Sequence, residues 1–193
     1  ETIGGHHWIA RRVPDEKCAI IPNQLGIDYF DFDDAFSDAR EFMCSADLPD
    51  FIERHRLGRA AGAHGGMNGS HCNPRVIFGT ATTKDHIYNT PRAWYMHRYL
   101  NPADAEGHTP ESDDIPWCVE PGNAVTIEDV DFLLGSHFEG TPYDPYGTQG
   151  TPESRHRYRP IGINRTGHMV AMQIRPYAPA ESRSIMWISY GSG

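Results

Sequence analysis

The segment YNTPRAWYMHRYLNP, residues 88–102, predicts the best-defined helix of the chain. Thr90 is the expected N-cap, because its hydroxyl can accept a hydrogen bond from a free backbone N–H of the first turn. Pro91 then occupies the first helical position, where its missing N–H costs nothing, and Pro102 lies beyond the end. The apolar side of the helix consists of Ala93, Trp94, Met96, Tyr99 and Leu100. We therefore expect one face of this helix to pack into the core.

Arg92 places a cation in the first turn of this helix, next to the positive end of the helix dipole. In an exposed position this placement costs roughly 0.3–1 kcal/mol. Two interpretations are open. Arg92 is a solvated surface residue, since surface charges contribute little to stability, or it is held there to bind an anion or an oxyanion. The helix alone favours the surface interpretation.

Composition bounds the kind of protein and its partners. The 193 residues are enough for one domain with its own core. The formal net charge of −9, without a long basic run, argues against nucleic acid or an anionic membrane as partner. No apolar run approaches the roughly 20 residues that cross a bilayer. The chain opens at Glu1 and enters a predicted strand directly, so we expect a piece of a longer protein.

The cysteines are Cys18, Cys44, Cys72 and Cys118, and none of them forms a C-x-x-C pair. Their density is too low for a disulfide scaffold. We predict buried free thiols in a reducing compartment, and therefore a cytoplasmic location.

Four segments are predicted as strands. Thr2–Val13 and Cys18–Ile21, joined by turn residues, predict the two strands of a hairpin. His168–Arg175 and Ile185–Tyr190 are nearly continuous in apolar residues, which is typical of strands covered on both faces.

Two further helices are predicted from their caps. Asp47 would begin one helix and Gly58 would end it. Thr126 would begin the other, with Asp129 in the spacing of a capping box. Arg75–Phe78 is interpreted as a short strand or turn.

The remaining segments are predicted as loops. Residues 26–34 form an ordered loop packed through its aromatic side chains. Residues 62–73 form a glycine- and histidine-rich loop that is either mobile or faces the substrate, and that lies outside the core. Residues 101–123 are a proline-rich loop long enough to be functional or packed. Residues 148–160 are polar and basic, as in a loop that crosses a cleft.

Metal binding finds little support in the sequence. His6 and His7 point to opposite faces of a strand, and neither H-E-x-x-H nor a zinc spacing of cysteine and histidine occurs. His64 and His71 are the best remaining ligand candidates. The acidic segment 31–34 does not continue into an EF-hand loop, so we interpret it as a solvated turn. We predict no metal and no cofactor.

Asn23 follows the strand candidate Cys18–Ile21, where loops often hold functional side chains. A side-chain amide there can donate to a developing oxyanion, which is worth about 3 kcal/mol in a transition state. It can equally bond its own backbone at the strand end. Asn89, next to Thr90, is interpreted as part of the helix cap. No nucleophile elbow or phosphate-binding loop identifies a reaction, and a Ser/His/Asp triad stays open.

A series of motifs nevertheless occurs in a characteristic order: GGHHWIARRVPDEKCAIIPNQ, DFDD, CSADLPDFIE, YNTPRAWYMHRYLNP, SHFEGTPYDPYG, NRTGHMVAMQIRP and MWISYG. The series resembles the C69 cysteine dipeptidases, a bacterial family related to secernins. The resemblance covers nearly the whole chain, and YNTPR and GTPYDPYG are its most distinctive parts. It implies an α+β N-terminal nucleophile hydrolase, an αββα sandwich of two antiparallel sheets between helical layers, that splits dipeptides.

In this fold the nucleophile is a cysteine at the first position of the mature chain, with its own α-amino group as base. The chain departs from the pattern because it begins with Glu1. We therefore expect residues 1–193 to be a single domain, the central portion of a longer dipeptidase, without the nucleophile segment and the C-terminal part. The chain alone should be inactive.

Related members of the fold, the bile salt hydrolases and penicillin V acylases, imply roles for two residues. Asn23 resembles an asparagine that follows a strand near the nucleophile, and we expect it to stabilise the oxyanion. Arg92 resembles an arginine at the start of a helix near the catalytic cysteine, and we expect it to orient the nucleophile or bind a substrate carboxylate. With these motifs in family order, the site interpretation of Arg92 is preferred.

The expected partners are dipeptide substrates, without nucleic acid or membrane. A partial sandwich would expose surface that other strands cover, so we also expect a homo-oligomer. The alternatives are a non-catalytic secernin-like binding or scaffold protein, an acylase-type amidase of the same fold, and a metal-dependent hydrolase that uses the histidines.

Overall fold

The structure is a computed structural model that describes residues 6–57 and 66–191. Short strands and short helices alternate along these ranges. The strands are β1 (Ile9–Arg11), β2 (Cys18–Ala19), β3 (Phe30–Asp31), β4 (Phe42–Cys44), β5 (Met67–Asn68), β6 (His71–Cys72), β7 (Cys118–Val119), β8 (Met169–Ile174) and β9 (Ser184–Ser189). The helices are α1 (Phe32–Phe36), α2 (Leu48–Arg54), α3 (Pro74–Phe78), α4 (Thr83–Tyr88), α5 (Thr90–Leu100), α6 (Ile127–Gly135) and α7 (Pro152–Arg155).

The strand pairs are antiparallel, and they join segments both near and distant in sequence. β1 pairs with β4, β2 pairs with β7, β6 lies between β3 and β5, and β8 pairs with β9. Helices mixed with antiparallel sheets confirm the α+β class. The predicted hairpin between Thr2–Val13 and Cys18–Ile21 is wrong, because its two strands find different partners. Ile9 lies opposite Cys44, whereas Cys18 lies opposite Val119.

Two clusters of buried side chains form the interior. The first surrounds α5 and contains Ile20, Ala93, Trp94, Tyr95, Ile115, Val119, Leu133, Phe138 and Tyr158. The second lies beside β3 and α2 and contains Phe30, Phe32, Phe42, Leu48, Ile52 and Cys72. Arg11 lies near two aromatic rings, with its guanidinium carbon 4.8 Å from the Trp117 ring centre and 5.5 Å from that of Phe42 in the second cluster.

The predicted helix of residues 88–102 exists as α5, but its beginning differs from the prediction. Thr90 is the first helical residue, and Asn89 occupies the N-cap position without a side-chain capping bond. The reason is that α4 ends at the same Asn89, whose backbone is helical, with φ −110° and ψ −61°. The Thr90 hydroxyl is therefore buried, and it has no hydrogen-bond partner among the described residues.

The other predicted caps give mixed results. Thr126 and Asp129 form the expected capping box of α6. Asp47 occupies the N-cap position of α2 but makes no side-chain capping bond, and its carboxylate lies 3.3 Å from Nε2 of His7 instead. Gly58, the predicted end of that helix, lies outside the described residues.

Two segments predicted as irregular or extended contain helices. Arg75–Phe78 belongs to α3, because the Asn73 side chain accepts a hydrogen bond from the Val76 backbone and caps this helix. Residues 26–34 do pack through aromatic rings, but they contain β3 and the start of α1, which Asp31 caps.

The last two predicted strands are confirmed as β8 and β9, but the expectation that both faces are covered is wrong. Met172 and Ile174 are each 77% exposed, and Ile188 is 54% exposed. The two strands pair with each other and α6 packs against β8, so part of this small sheet is open to solvent. We call residues 169–189 the C-terminal hairpin.

The two long loops also contain short regular elements. Residues 101–123 are mostly irregular, as predicted, but include β7. Residues 148–160 include α7. Of residues 62–73, the structure describes those from 66 onward, which form β5 and β6.

Candidate active site

The junction of α4 and α5 places a buried amide between an acid and a base. Asn89 is 8% exposed. Its Nδ2 donates to Oδ1 of Asp85 at 2.7 Å, and its Oδ1 accepts from Nη2 of Arg92 at 2.6 Å. Its expected role in the helix cap is thus replaced by a bridge between Asp85 and Arg92, because each end of the amide has a charged partner.

Asp85 anchors the acidic end of this bridge. Its side chain is buried, which by itself disfavours the charged form. The carboxylate accepts from the Thr82 backbone N–H at 2.9 Å, from the Thr82 hydroxyl at 2.7 Å and from Asn89. These hydrogen bonds outweigh burial and hold the Asp85 pKa well below its usual range. The carboxylate therefore stays charged and fixes the orientation of Asn89.

Arg92 lies at the basic end and is half-buried. Its Nε donates to the backbone oxygen of Tyr88, and its Nη2 donates to Oδ1 of Asn23 at 2.9 Å as well as to Asn89. Burial, and secondarily the nearby Arg159, lower the pKa of Arg92. Within the described ranges Arg92 forms no ion pair with a carboxylate. An anchored, half-buried side chain does not fit the interpretation of a freely solvated surface arginine.

Asn23 lies in a bend after Pro22 and is exposed. The structure brings it against Arg92, although the two residues are 69 positions apart in sequence. Because Arg92 occupies the amide oxygen, the Nδ2 group is left as a hydrogen-bond donor toward the open side. No bond between this side chain and its own backbone is found in the described part of the chain, so the strand-end alternative is not observed.

The residues that sequence reasoning missed are Asp85 and Arg159. Asp85 does have a sequence signal, since T-x-x-D at Thr82–Asp85 is a capping-box spacing and α4 begins there. Arg159 carries no motif, although it lies in the polar and basic segment 148–160 that the sequence predicts to cross a cleft. It reaches the site only because its backbone N–H donates to the oxygen of Ile87 at 3.0 Å, which fixes this segment beside the end of α4.

The cysteines are free thiols, as predicted. Burial raises the pKa of Cys18, Cys44 and Cys118, and it raises the pKa of Cys72 to about 12. A thiol attacks as the thiolate, and catalytic cysteines have lowered pKa values. These four residues are therefore poor nucleophiles.

Of the two metal-ligand candidates, the described one is engaged in other contacts. His71 lies 3.2 Å from the Tyr29 hydroxyl and 3.5 Å from Oδ1 of Asp31, and His64 lies outside the described residues. Asp31 accepts hydrogen bonds from the backbones of Asp33 and Asp34 at the start of α1. Across residues 6–57 and 66–191 no group of three metal-ligating side chains converges.

The segment SHFEGTPYDPYG, residues 136–147, packs on α5 next to the site. Phe138 is fully buried, and its ring meets that of Tyr95 edge to face at 5.5 Å. The Tyr95 hydroxyl donates to Glu139, and His137 lies between Asp144 at 2.8 Å and Glu139 at 3.2 Å. This distinctive segment therefore supports the helix that carries Arg92.

Comparison with known proteins agrees with the motif order. Residues 1–193 match Peptidase family C69. The chain belongs to this family. It is 54% identical to a "Dipeptidase" of Bifidobacterium longum, over 100% of this chain and 36% of that protein. It is 44% identical to "Dipeptidase A" of Lactobacillus helveticus, over 99% of this chain and 37% of that protein.

A "Probable dipeptidase A" of Streptococcus pyogenes serotype M18 is 48% identical over 100% of this chain and 38% of its own length. The chain thus spans well under half the length of these curated relatives. None of the helices in the described residues is long and apolar enough to cross a membrane.

Proposed function

We propose that this chain is the central portion of a cysteine-type dipeptidase, in which Asn23 and Arg92 face the reacting peptide bond. The observation that carries the proposal is the 2.9 Å hydrogen bond between Arg92 and Asn23. It joins the two residues for which the resemblance to related members of the fold implies catalytic roles, at a place open to solvent on the Asn23 side. The substrate class comes from the relatives, which are named dipeptidases.

The reaction would begin with a thiolate from a segment of the protein outside this chain. The sulfur bonds to the carbonyl carbon of the dipeptide, and the carbonyl oxygen becomes an oxyanion. Nδ2 of Asn23 donates to that oxygen, and a preorganised donor of this kind is worth about 3 kcal/mol. The C–N bond then breaks, the amine leaves with a proton, and water hydrolyses the thioester to release the acid and regenerate the thiol.

Arg92 would hold Asn23 in the donating orientation, because its Nη2 binds the amide oxygen and directs the NH2 group outward. The N–H groups on Nη1 form no hydrogen bond within the described residues, so they can receive a substrate carboxylate or the nucleophile segment. The buried Asp85–Asn89 bridge keeps the guanidinium fixed, which reduces the reorganisation needed during the reaction.

The antiparallel sheets and helices are compatible with part of an αββα sandwich, which we propose as the fold of the whole protein. Association into a homo-oligomer belongs to the same proposal, since the C-terminal hairpin has an exposed apolar surface. The cytoplasmic location stays a prediction from the cysteines.

The test uses the full-length protein that contains this chain. Asn23→Ala should lower kcat for dipeptides by about 100-fold or more, because it removes the oxyanion donor. Asn164→Ala, which truncates another exposed asparagine, is the matched control and should retain wild-type kcat. A loss smaller than about threefold for Asn23→Ala would contradict the oxyanion role.

Arg92→Lys keeps the positive charge but loses the planar fork that binds two acceptors. We expect a large loss of activity, and full activity would reduce Arg92 to a packing residue. Purified residues 1–193 should hydrolyse no dipeptide. An acylase-type amidase would instead prefer N-acyl substrates over dipeptides in the same assay.

A further inference from the structure

Tyr88, the last residue of α4, is surrounded by positive charge. The guanidinium carbon of Arg159 lies 5.3 Å from the centre of its ring, and Nζ of Lys84 lies 6.0 Å from that centre. Arg92 approaches from the backbone side, where its Nε donates to the Tyr88 oxygen. Two arginines and a lysine thus converge on one aromatic residue beside Asn23.

None of these cations forms an ion pair with a carboxylate among the described residues. Acidic residues are not scarce, since the chain has 26 of them against 17 lysines and arginines. Arg157, two positions before Arg159, has an acidic partner, with its Nη2 2.6 Å from Oε1 of Glu111. The positive charge around Tyr88 is therefore a local feature of the fold.

Without an anion, the positive charges of Arg92 and Arg159 repel each other. Arg92 is half-buried, and the nearby Arg159 adds to the effect of burial in disfavouring its charged form. An anion between the two guanidiniums would relieve the repulsion and replace lost hydration. The ring of Tyr88 favours a guanidinium over its face, so Arg159 is preorganised for that anion.

We propose that Arg159, together with Arg92, binds the C-terminal carboxylate of the dipeptide and so restricts the enzyme to short substrates. This inference rests on the proposed function. Asn23, the donor to the oxyanion, is itself hydrogen-bonded to Arg92. A carboxylate held by Arg92 would therefore lie near the reacting carbonyl, and in a dipeptide these two groups are one residue apart, or roughly 3.8 Å by the spacing of consecutive Cα atoms. A peptide with one residue after the scissile bond fits this spacing, whereas a longer one would have no free carboxylate there.

The kinetic test compares, in the full-length protein, a dipeptide that has a free carboxylate with the same dipeptide as its C-terminal amide. Arg159→Gln should raise KM for the acid by about 10-fold or more, because a charge-assisted hydrogen bond is lost. KM for the amide should stay within about twofold of wild type, since it offers no carboxylate. Arg157→Gln makes the same chemical change at the paired arginine and should leave both KM values unchanged. Equal changes for acid and amide in Arg159→Gln would overturn the proposal.

A binding experiment separates this inference from the proposed function. The probe is a dipeptide in which the peptide bond is reduced to an amine, titrated calorimetrically as acid and as amide. Arg159→Gln should weaken binding of the acid about 10-fold and leave the amide unchanged. Acid-selective binding by a wild-type protein that hydrolyses no dipeptide would refute the dipeptidase proposal and keep the carboxylate site. Hydrolysis of dipeptides by a wild-type protein that binds the acid and the amide equally would refute the carboxylate site and keep the dipeptidase proposal.

Arg159→Lys keeps the positive charge but loses the planar fork. Its affinity for the acid should fall between those of the wild type and Arg159→Gln. Wild-type affinity of Arg159→Lys for the acid would refute recognition through the fork.

Discussion

Helix α5 and the C-terminal hairpin are both rich in apolar residues, yet they have opposite environments. Trp94 and Tyr95 of α5 are 6% and 5% exposed, whereas Met172 and Ile174 of β8 are each 77% exposed. The candidate site lies at the start of the buried element. A charged network such as Asp85–Asn89–Arg92 needs fixed surroundings to keep its geometry, and α5 provides them because it packs on several distant segments.

The comparison shows that the pattern of apolar residues predicts whether a segment forms a helix or a strand. It predicts less reliably whether other parts of the protein bury that helix or strand. α5 packs against Ile20, Ile115 and the 136–147 segment, which all lie outside its own stretch of sequence. The strands of the C-terminal hairpin find each other locally, through a register from Met169 opposite Ser189 to Ile174 opposite Ser184.

The largest effect is expected for Phe138→Ala. Phe138 is fully buried against Tyr95, so removing its ring leaves a cavity beside α5 and should lower the free energy of unfolding by about 3–5 kcal/mol. Met172→Ala in the hairpin should cost less than about 0.5 kcal/mol, as for an ordinary surface site. Urea unfolding of both variants provides the measurement. Similar losses would mean that the hairpin is as well packed as α5.

A second prediction concerns pH and the interior of α5. His97 is 4% exposed, and burial lowers its pKa to about 4, against about 6.5 in an unfolded chain. Between these values the unfolded state binds the extra proton, so stability is retained above pH 6.5 and is lost as pH falls toward 4. The slope approaches about 1.4 kcal/mol per pH unit.

His97→Gln should remove this slope from the unfolding free energy measured between about pH 7 and 4. His168→Gln, at an exposed position just before the C-terminal hairpin, is the control. If His97→Gln keeps the wild-type pH dependence, the buried imidazole is not the group responsible.

A third prediction tests the charged bridge. Asp85→Asn keeps the shape of the side chain but removes the charge that accepts hydrogen bonds from Thr82 and Asn89, so about 1–2 kcal/mol of stability should be lost at pH 7. Because folding lowers the Asp85 pKa, the wild-type advantage is present above the unfolded value of about 3.9 and disappears as pH falls below it.

Asp129→Asn is the matched control, since Asp129 forms the same capping box with Thr126 on α6. Within the described residues no bridging asparagine contacts Asp129, whose additional hydrogen bond comes from the exposed Tyr99 hydroxyl at 2.7 Å, so its variant should lose less stability. Arg92 also depends on Asp85 through Asn89, and Asp85→Asn in the full-length protein should therefore lower kcat more than Asp129→Asn does. Equal effects on kcat would argue against a bridge that positions Arg92.

Local sequence rules predicted much of the fold but little of its strand pairing. The capping box of α6, the length of α5 and both strands of the C-terminal hairpin follow from patterns within about 15 residues, where propensities and caps act. The partners of β1 and β2 lie 31 or more positions away along the chain, opposite Phe42–Cys44 and Cys118–Val119. Local turn chemistry at residues 14–17 favoured a hairpin that the two distant pairings replace.

For the candidate site, the resemblance to related members of the fold suggested Asn23 and Arg92, and the two side chains are hydrogen-bonded to each other. The Asp85–Asn89 bridge was missed because Asn89 was assigned to the helix cap, and a helix that ends where the next begins has no ordinary cap. Arg159 depends on the path of a loop between α7 and β8, which no local pattern specifies.

The smallest change in stability is expected on the exposed face of the C-terminal hairpin. Met172→Lys replaces an apolar surface group with a charge, so the free energy of unfolding should change by less than about 0.5 kcal/mol. The same substitution at Met169, which lies three residues earlier on β8 and is 8% exposed, buries an unpaired charge and should destabilise strongly.

Self-association provides the second readout for this pair. If copies of the chain meet through the exposed apolar residues of the hairpin, Met172→Lys should shift sedimentation velocity profiles toward the monomer, since an apolar contact cannot readily accommodate a buried charge. Association that persists unchanged in Met172→Lys would assign the interface to another surface. A large loss of stability in this variant would mean that the face is covered in solution and that the contrast with α5 is smaller than the structure indicates.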